Sequence, residues 1–333
     1  MPLVAGFCLV TVMWGIYVRV FASDALVVYC AHDSVYSESI LNRFSKTSGI
    51  PVKIKFDTEA TKSLGLVELL VREKAHPRCD VFWNNELLGI LRLKAQGVLD
   101  PYKGSGASRI PDKFKDPDGY WTGFAARSRV YIYNPKSVTS GLSYLSQPDI
   151  SRSAIAKPLY GTTLTHYSVL WDQLGPTGLK AWHADLRERG IKEVNGNSMV
   201  KDLVASGACD VGFTDTDDFF LAKESGADVA MEPVLMKDSA ICLIPNTVAV
   251  IAGSKRKSEA QQLVEFLLSE ETELALANSS SRQIPLGVLE EDAIQKLPEE
   301  VKEMSKWTDS AVDLTRLGPA SEACIQWLKT LDE

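Results

Sequence analysis

The sequence predicts an α/β protein of two lobes, each a mixed, mostly parallel sheet flanked by helices, with a ligand cleft between them. Three observations carry this reading. Strand-like and helix-like patterns alternate from residue 26 to residue 97, and the alternation recurs between residues 154 and 213. A return to strand-rich sequence near residue 240 then takes the chain back toward its first lobe. Alternation of this kind builds parallel sheets with helices on both faces. Two such units joined by more than one crossing segment leave a cleft that closes like a hinge. A chain of 333 residues is long enough for both.

In order, Leu26 to Tyr29 is an apolar run fit for a buried strand. Tyr36 to Ser48 has helical spacing through Ile40, Leu41 and Phe44, and Gly49 stops it. Val52 to Phe56 alternates as a strand, and Leu64 to Lys74 returns to helical spacing with Pro77 beyond its end. Val81 to Trp83 reads as a strand and Glu86 to Ala95 as a helix ended by Gly97. Pro101 to Gly119 is loop-like, rich in Pro, Gly, Ser and Asp. Val130 to Tyr133 is a strand, Ala154 to Ala156 another, and Leu164 to Leu174 and Gly178 to Arg189 are helices. Asn197 to Ala205 is helical, Val211 to Phe213 a strand, and Asp228 to Met231 an edge strand. Ala240 to Ile244 and Thr247 to Ala252 are apolar stretches split by Pro245-Asn246. Ser258 to Asn278 reads as one amphipathic helix, and the tail from Pro298 is helical again. Lobe 1 is expected to hold residues 23–128 and 246–284, and lobe 2 residues 129–245 and 285–333.

Residues 1–22 are read apart from the fold. Leu3 to Val18 is an apolar run of roughly 16 residues, short of the roughly 20 that span a bilayer. Val20-Phe21-Ala22 offers a peptidase site before Ser23. No Lys or Arg precedes the run, so an uncleaved N-terminal anchor is the alternative to a signal peptide. Phe7 before Cys8 argues against a lipoprotein cysteine. Either way the body is exported, to the periplasm or another extracytoplasmic space.

A net charge of -7 gives no electrostatic reason to bind nucleic acid or an anionic membrane surface. Beyond the leader, Cys30, Cys79, Cys209, Cys242 and Cys324 are widely spaced and lack a zinc pattern. If the strands carrying Cys30 and Cys79 are parallel neighbours, the two sulfurs lie at opposite ends and cannot bridge.

The most informative stretch is Val211-Gly212-Phe213-Thr214-Asp215-Thr216-Asp217-Asp218. Carboxylates just past a strand end stand where open α/β sheets place ligands. Three of them in four residues repel unless solvated, protonated or balanced by a cation. The competing reading is an acidic turn capping a helix from Phe219.

An enzyme is not expected. Asp215-Thr216-Asp217 follows the spacing of an aspartyl nucleophile and its acid/base partner, but Phe219 replaces the expected Thr or Val. A calcium loop fails at Phe220 and Gly226, and no G-x-S-x-G, H-E-x-x-H or P-loop occurs.

The sequence resembles the ferric-iron-type periplasmic solute-binding proteins of ABC transporters. Five segments carry this in order: Val27 to Asp33, Cys79 to Glu86, Asp116 to Gly123, Ser206 to Gly212, and Ala260 to Ser269 followed by Gln283-Ile284-Pro285-Leu286. The resemblance implies a two-lobe periplasmic-binding-protein fold, a permease partner and a monomer with no required cofactor. Many members hold iron with two adjacent tyrosines after the strand equivalent to Val211–Phe213; Asp217-Asp218 stand there instead. A histidine after the first strand and a glutamate after the third can join, and His32 and Glu86 match.

His32, Glu86, Asp215, Asp217 and Asp218 are thus the candidate metal ligands, an oxygen-rich set suited to ferric iron or another hard cation. Thr58, Glu59 and Thr61 before one helix, and Thr162 and Thr163 before another, are candidates to hold a synergistic anion or a phosphate. Asn84, Asn85 and His166 complete the ligand-binding candidates for a small polar organic solute. Trp83 and Phe219 read as core residues beside the cleft, and Arg127 as part of a solvated face.

Overall fold

The computed structural model describes residues 25–57 and 64–331. The leader and the Thr58, Glu59 and Thr61 readings therefore lie outside the described residues. No described helix is long and apolar enough to cross a membrane.

The strands are β1 (Leu26–Cys30), β2 (Val52–Phe56), β3 (Val81–Asn84), β4 (Leu99–Asp100), β5 (Thr122–Tyr133), β6 (Ser153–Ala156), β7 (Lys192–Val194), β8 (Val211–Asp215), β9 (Ala230–Pro233) and β10 (Leu243–Ile251). Their main order is β2-β1-β3-β10-β5-β8-β6-β7, with β4 beside β10 and β9 beside β5. β1 pairs in parallel with β2 and β3, and β6 pairs in parallel with β7 and β8. Between the parallel sets run β10 and β5, antiparallel to each other and to their outer neighbours. The inner strands β3, β6 and β8 are buried at every residue, whereas the outer strands β2 and β7 carry lysines at exposed positions.

β5 belongs to both halves. Residues 122–128 pair with β10, and Arg129 to Tyr133 pair with β8. Sequence reading recovers only the second half of this strand, because Gly123, Arg127 and Arg129 break any apolar alternation. The apolar stretches either side of Pro245-Asn246 form a single strand, with a register shift at that pair. Opposite the shift, Ala125 adopts a left-handed φ of 41°, a conformation that costs a non-glycine residue about 1–2 kcal/mol.

The main helices are α1 (Ser34–Ser48), α2 (Leu64–Arg72), α3 (Leu88–Ala95), α4 (Gly161–Glu188), α5 (Asn197–Ala205), α6 (Thr216–Glu224), α7 (Lys257–Leu267), α8 (Glu270–Ala277), α9 (Glu299–Ser305) and α10 (Gly318–Lys329). α4 breaks at Gly175 (φ 70°, ψ 171°) before Pro176, which divides it as the sequence predicts. The expected helix from Ser258 to Asn278 is two helices. Ser269 accepts the backbone N–H of Thr272 and caps a new start at Glu270. The loop of residues 101–119 carries two short turns of helix, at Ser105–Ser108 and Asp112–Phe114. The five described cysteines are buried and free. Cys30 closes β1, whereas Cys79 precedes β3, which pairs in parallel with it.

Candidate functional site

The ends of β1, β3, β6 and β8 converge on one cavity of about 260 Å³. His32, Asp33 and Tyr36 follow β1, Asn85 follows β3, Lys157 and Tyr160 follow β6, and Asp217 and Asp218 follow β8. Carboxyl ends of parallel strands are where such sheets bind ligands, because loops and helix N-termini converge there. Arg127 on β5, Asn197 at the start of α5 and Gln283 beyond α8 complete the wall.

The three aspartates after β8 come together, each with a carboxylate oxygen within 4.8 Å of the others. They are not equivalent. Asp215 ends β8 and is saturated. Oδ1 accepts Nη1 of Arg129 at 2.6 Å, and Oδ2 accepts Oγ1 of Thr162 at 2.6 Å, Nδ2 of Asn197 at 3.0 Å and Nε of Arg127 at 3.3 Å. Arg129 is fully buried, and its Nε and Nη2 have no hydrogen-bond partner. Asp215 is the counter-ion that makes this burial tolerable. The expectation of Arg127 on a solvated face is corrected: it is 8% exposed. Burial alone lowers its guanidinium pKa, but Asp217 and Asp215 outweigh that and hold it above its ordinary value.

Asp217 and Asp218 open the first turn of α6, where the helix dipole favours negative charge. Burial raises the Asp218 carboxyl to about 6; Asp215 adds to this and the Thr214 hydroxyl, at 2.7 Å, opposes it. Burial also raises Asp217, against the pull of Arg127 at 3.9 Å. Since 23% of the Asp217 side chain reaches solvent, water screens part of this effect. Both are carboxylates in want of a cation.

His32 lines the cavity with its ring 5.2 Å from that of Trp83. Burial lowers it to about 4, with Asp33 opposing. Thr162 and Thr163 lie inside the first turn of α4 rather than before it, and their hydroxyls serve the Asp215 network. Trp83 and Phe219 are core residues.

Three candidates stand elsewhere. Glu86 does not line the cavity; its carboxylate accepts the backbone N–H of Gly89 at 2.8 Å, that of Leu88, and Nδ2 of Asn84 at 2.9 Å, capping α3. A Cβ on Gly89 would come within 2.8 Å of that carboxylate, so the cap requires glycine there. The helix thus begins at Leu88, two residues later than expected. Asn84 is buried beneath this cap. His166 turns away into an aromatic cluster with Tyr167, Trp182 and Phe213, where burial and Arg129 hold it well below its ordinary pKa.

Sequence reading missed Tyr36, Lys157, Tyr160, Asn197, Gln283 and the role of Arg129. For the arginines a signal existed: residues two apart on a strand share a face. It was hidden because residues 122–129 did not read as a strand.

Residues 26–279 match the family described as bacterial extracellular solute-binding protein. The Fe(3+)-binding periplasmic protein of Serratia marcescens is 21% identical over 276 residues, covering 80% of each chain. The major ferric iron-binding protein of Neisseria meningitidis is 24% identical over 266 residues, 75% of this chain and 78% of its own. Among solved structures, iron-bound HitA from Pseudomonas aeruginosa superposes with a TM-score of 0.80 at 23% identity, covering 93% of this chain and 99% of that one. Two parallel-sheet lobes, a polar cavity at their strand ends and a sequence match across most of the described chain lead to one conclusion: this protein belongs to the bacterial extracellular solute-binding family, a binding protein and not an enzyme.

Proposed function

We propose that this protein captures a metal cation, ferric iron foremost, in the cavity between its lobes and delivers it to an ABC permease from an extracytoplasmic space. The carrying observation is charge. Asp33, Asp215, Asp217 and Asp218 face a cavity whose fixed cations are Arg127 and Lys157, with Arg129 behind them. Ionised together, the four carboxylates exceed the three cations by one; burial keeps protons on Asp217 and Asp218 to higher pH than usual, and a cation entering the site displaces those protons. The names of the Serratia and Neisseria relatives, both ferric-binding, support the same choice.

Asp217 and Asp218 are the first ligands on this reading, occupying the place where the family resemblance puts a pair of tyrosines. Arg127 and Lys157 are available to a synergistic anion beside the metal. The lobes divide between Ser128 and Arg129 on β5, between Pro245 and Asn246 within β10, and between Ile284 and Pro285, and the chain works as a monomer.

The test is a thermal-shift screen of the chelator-stripped protein against metals, phosphorylated sugars and amines. Ferric iron supplied as citrate, at about 100 times its dissociation constant, should stabilise by about 2.7 kcal/mol. The double substitution Asp217→Asn/Asp218→Asn should abolish the shift. A response to an organic compound alone would replace the cation with a small polar solute.

A further inference from the structure

His32 stands at the cavity wall with both ring nitrogens engaged. Nε2 lies 2.7 Å from Nε2 of Gln283, and Nδ1 lies 3.4 Å from the Asp33 carbonyl oxygen. Two nitrogens at that separation need one donor and one acceptor. Which is which follows from the strands that join the lobes. The Ala125 carbonyl on β5 only accepts, so the Asn246 atom against it is the amide nitrogen. The Asn246 oxygen then accepts the Trp83 indole N–H at 3.2 Å. The same Asn246 nitrogen donates to Oε1 of Gln283 at 2.7 Å, which turns the Gln283 NH₂ toward His32. Nε2 of His32 therefore accepts, and the ring proton sits on Nδ1, where the Asp33 carbonyl takes it.

The anchor of this chain is firm. Ala125 has its φ of 41°, and its N–H donates at 2.9 Å to Glu273, a fully buried carboxylate. Glu273 is in turn held by Arg109 at 3.0 Å. Asn246 and Gln283 are 1% exposed, so neither amide turns over freely. A main-chain carbonyl beside the hinge thus fixes an imidazole tautomer at the ligand cavity, through two amides.

We propose that Gln283 gates His32. It occupies the Nε2 lone pair that a metal ion would take, and Asn246 is the positioning residue that keeps it there. Resting on the metal-cation reading above, this means that a cation held by Asp217 and Asp218 gains the imidazole only when Gln283 turns away. That movement breaks the bond from Gln283 to Asn246, at the register shift between β5 and β10. Recruitment of the last ligand and release of the hinge strands are then one event.

Long-range proton–nitrogen spectra of the full chain labelled with ¹⁵N-histidine test this. The solute-free protein should carry the His32 proton on Nδ1. Asn246→Ala should free Gln283 to turn and give a mixture of tautomers, whereas Gln283→Glu should move the proton to Nε2. Gln283→Leu should bind ferric iron, supplied as citrate, about thirtyfold more tightly, the worth of two net hydrogen bonds, to His32 and from Asn246, no longer broken. A residue that only supported the fold would weaken binding when lost. A proton on Nε2 in the unmodified protein, a tautomer unchanged in both Asn246→Ala and Gln283→Glu, or weaker binding by Gln283→Leu overturns the gate. If Asn246→Ala does not fold, Gln283→Glu gives the same reading. If the unmodified protein takes up no ferric iron, the metal reading falls, and the spectra still decide whether the two amides hold the ring.

Discussion

Asp215 and Asp217 are two residues apart and do different work. Asp215 accepts from four side chains and balances buried Arg129, so its removal strands a cation in the core. Asp215→Ala should cost about 3–5 kcal/mol by chemical denaturation. A loss well under 1 kcal/mol would mean that the arginine finds another partner. The pH response separates Asp218 in the same way. Its folded pKa, about 6, lies above the ordinary carboxylate value, so the folded state holds its proton longer than the unfolded chain. Between those two values stability falls as pH rises, and below both the group contributes nothing. His32 and His166 act oppositely: with folded pKa values depressed, they withdraw stability as pH falls below their ordinary value. The difference between the parent and Asp218→Asn, measured without solute from pH 4 to pH 7, cancels the histidines and reads Asp218 together with the upward push its charge gives neighbouring Asp217. The variant should gain on the parent as pH rises toward 6; parallel profiles would contradict the buried carboxyl.

At the scale of elements, Glu86 is the instructive case. Its place after β3 made it a metal candidate, yet it caps α3 and satisfies two backbone N–H groups and the Asn84 amide. Glu86→Ala should lose about 1–3 kcal/mol, the cost of leaving buried donors unpaired, and leave metal affinity within about twofold. A large loss of affinity with stability intact would return Glu86 to the ligand set. The split of the long helix at Ser269 has the same origin. Apolar spacing continues through the break, and only a serine side chain turned onto Thr272 restarts the helix. Hydrophobic periodicity does not see a cap inside its own pattern.

For the molecule as a whole, what matters is that β5 and β10 tie two parallel sheets into one order while leaving the cavity open between strand ends. On the proposed reading, captured solute would bridge His32 and Tyr36 on one side and Asp217 and Asp218 on the other, and so favour the closed arrangement by its differential affinity for it. Small-angle scattering should record a smaller radius of gyration on adding ferric citrate, and no change in the Asp217→Asn/Asp218→Asn protein. A metal-dependent thermal shift without compaction would place the metal on one lobe alone.

The sequence by itself determined the alternation of strands and helices, the apolar strands, the break at Gly175-Pro176 and the acidic cluster after β8. These are local: each follows from spacing or from a residue whose backbone preference is its own. His32, Asn85, Thr162, Thr163, Asp215, Asp217 and Asp218, singled out along the chain, line one cavity, because parallel strands deliver their carboxyl ends to one edge. Only the tertiary structure decided what each residue does there. Asp215 belongs to Arg129, Glu86 to α3, and His166 to an aromatic cluster, while Gln283 reaches His32 from 251 positions away. A carboxylate or an imidazole has the same ligand chemistry wherever it stands. Whether that chemistry is free or already used depends on partners brought near by folding, and the pattern along the chain holds no record of them.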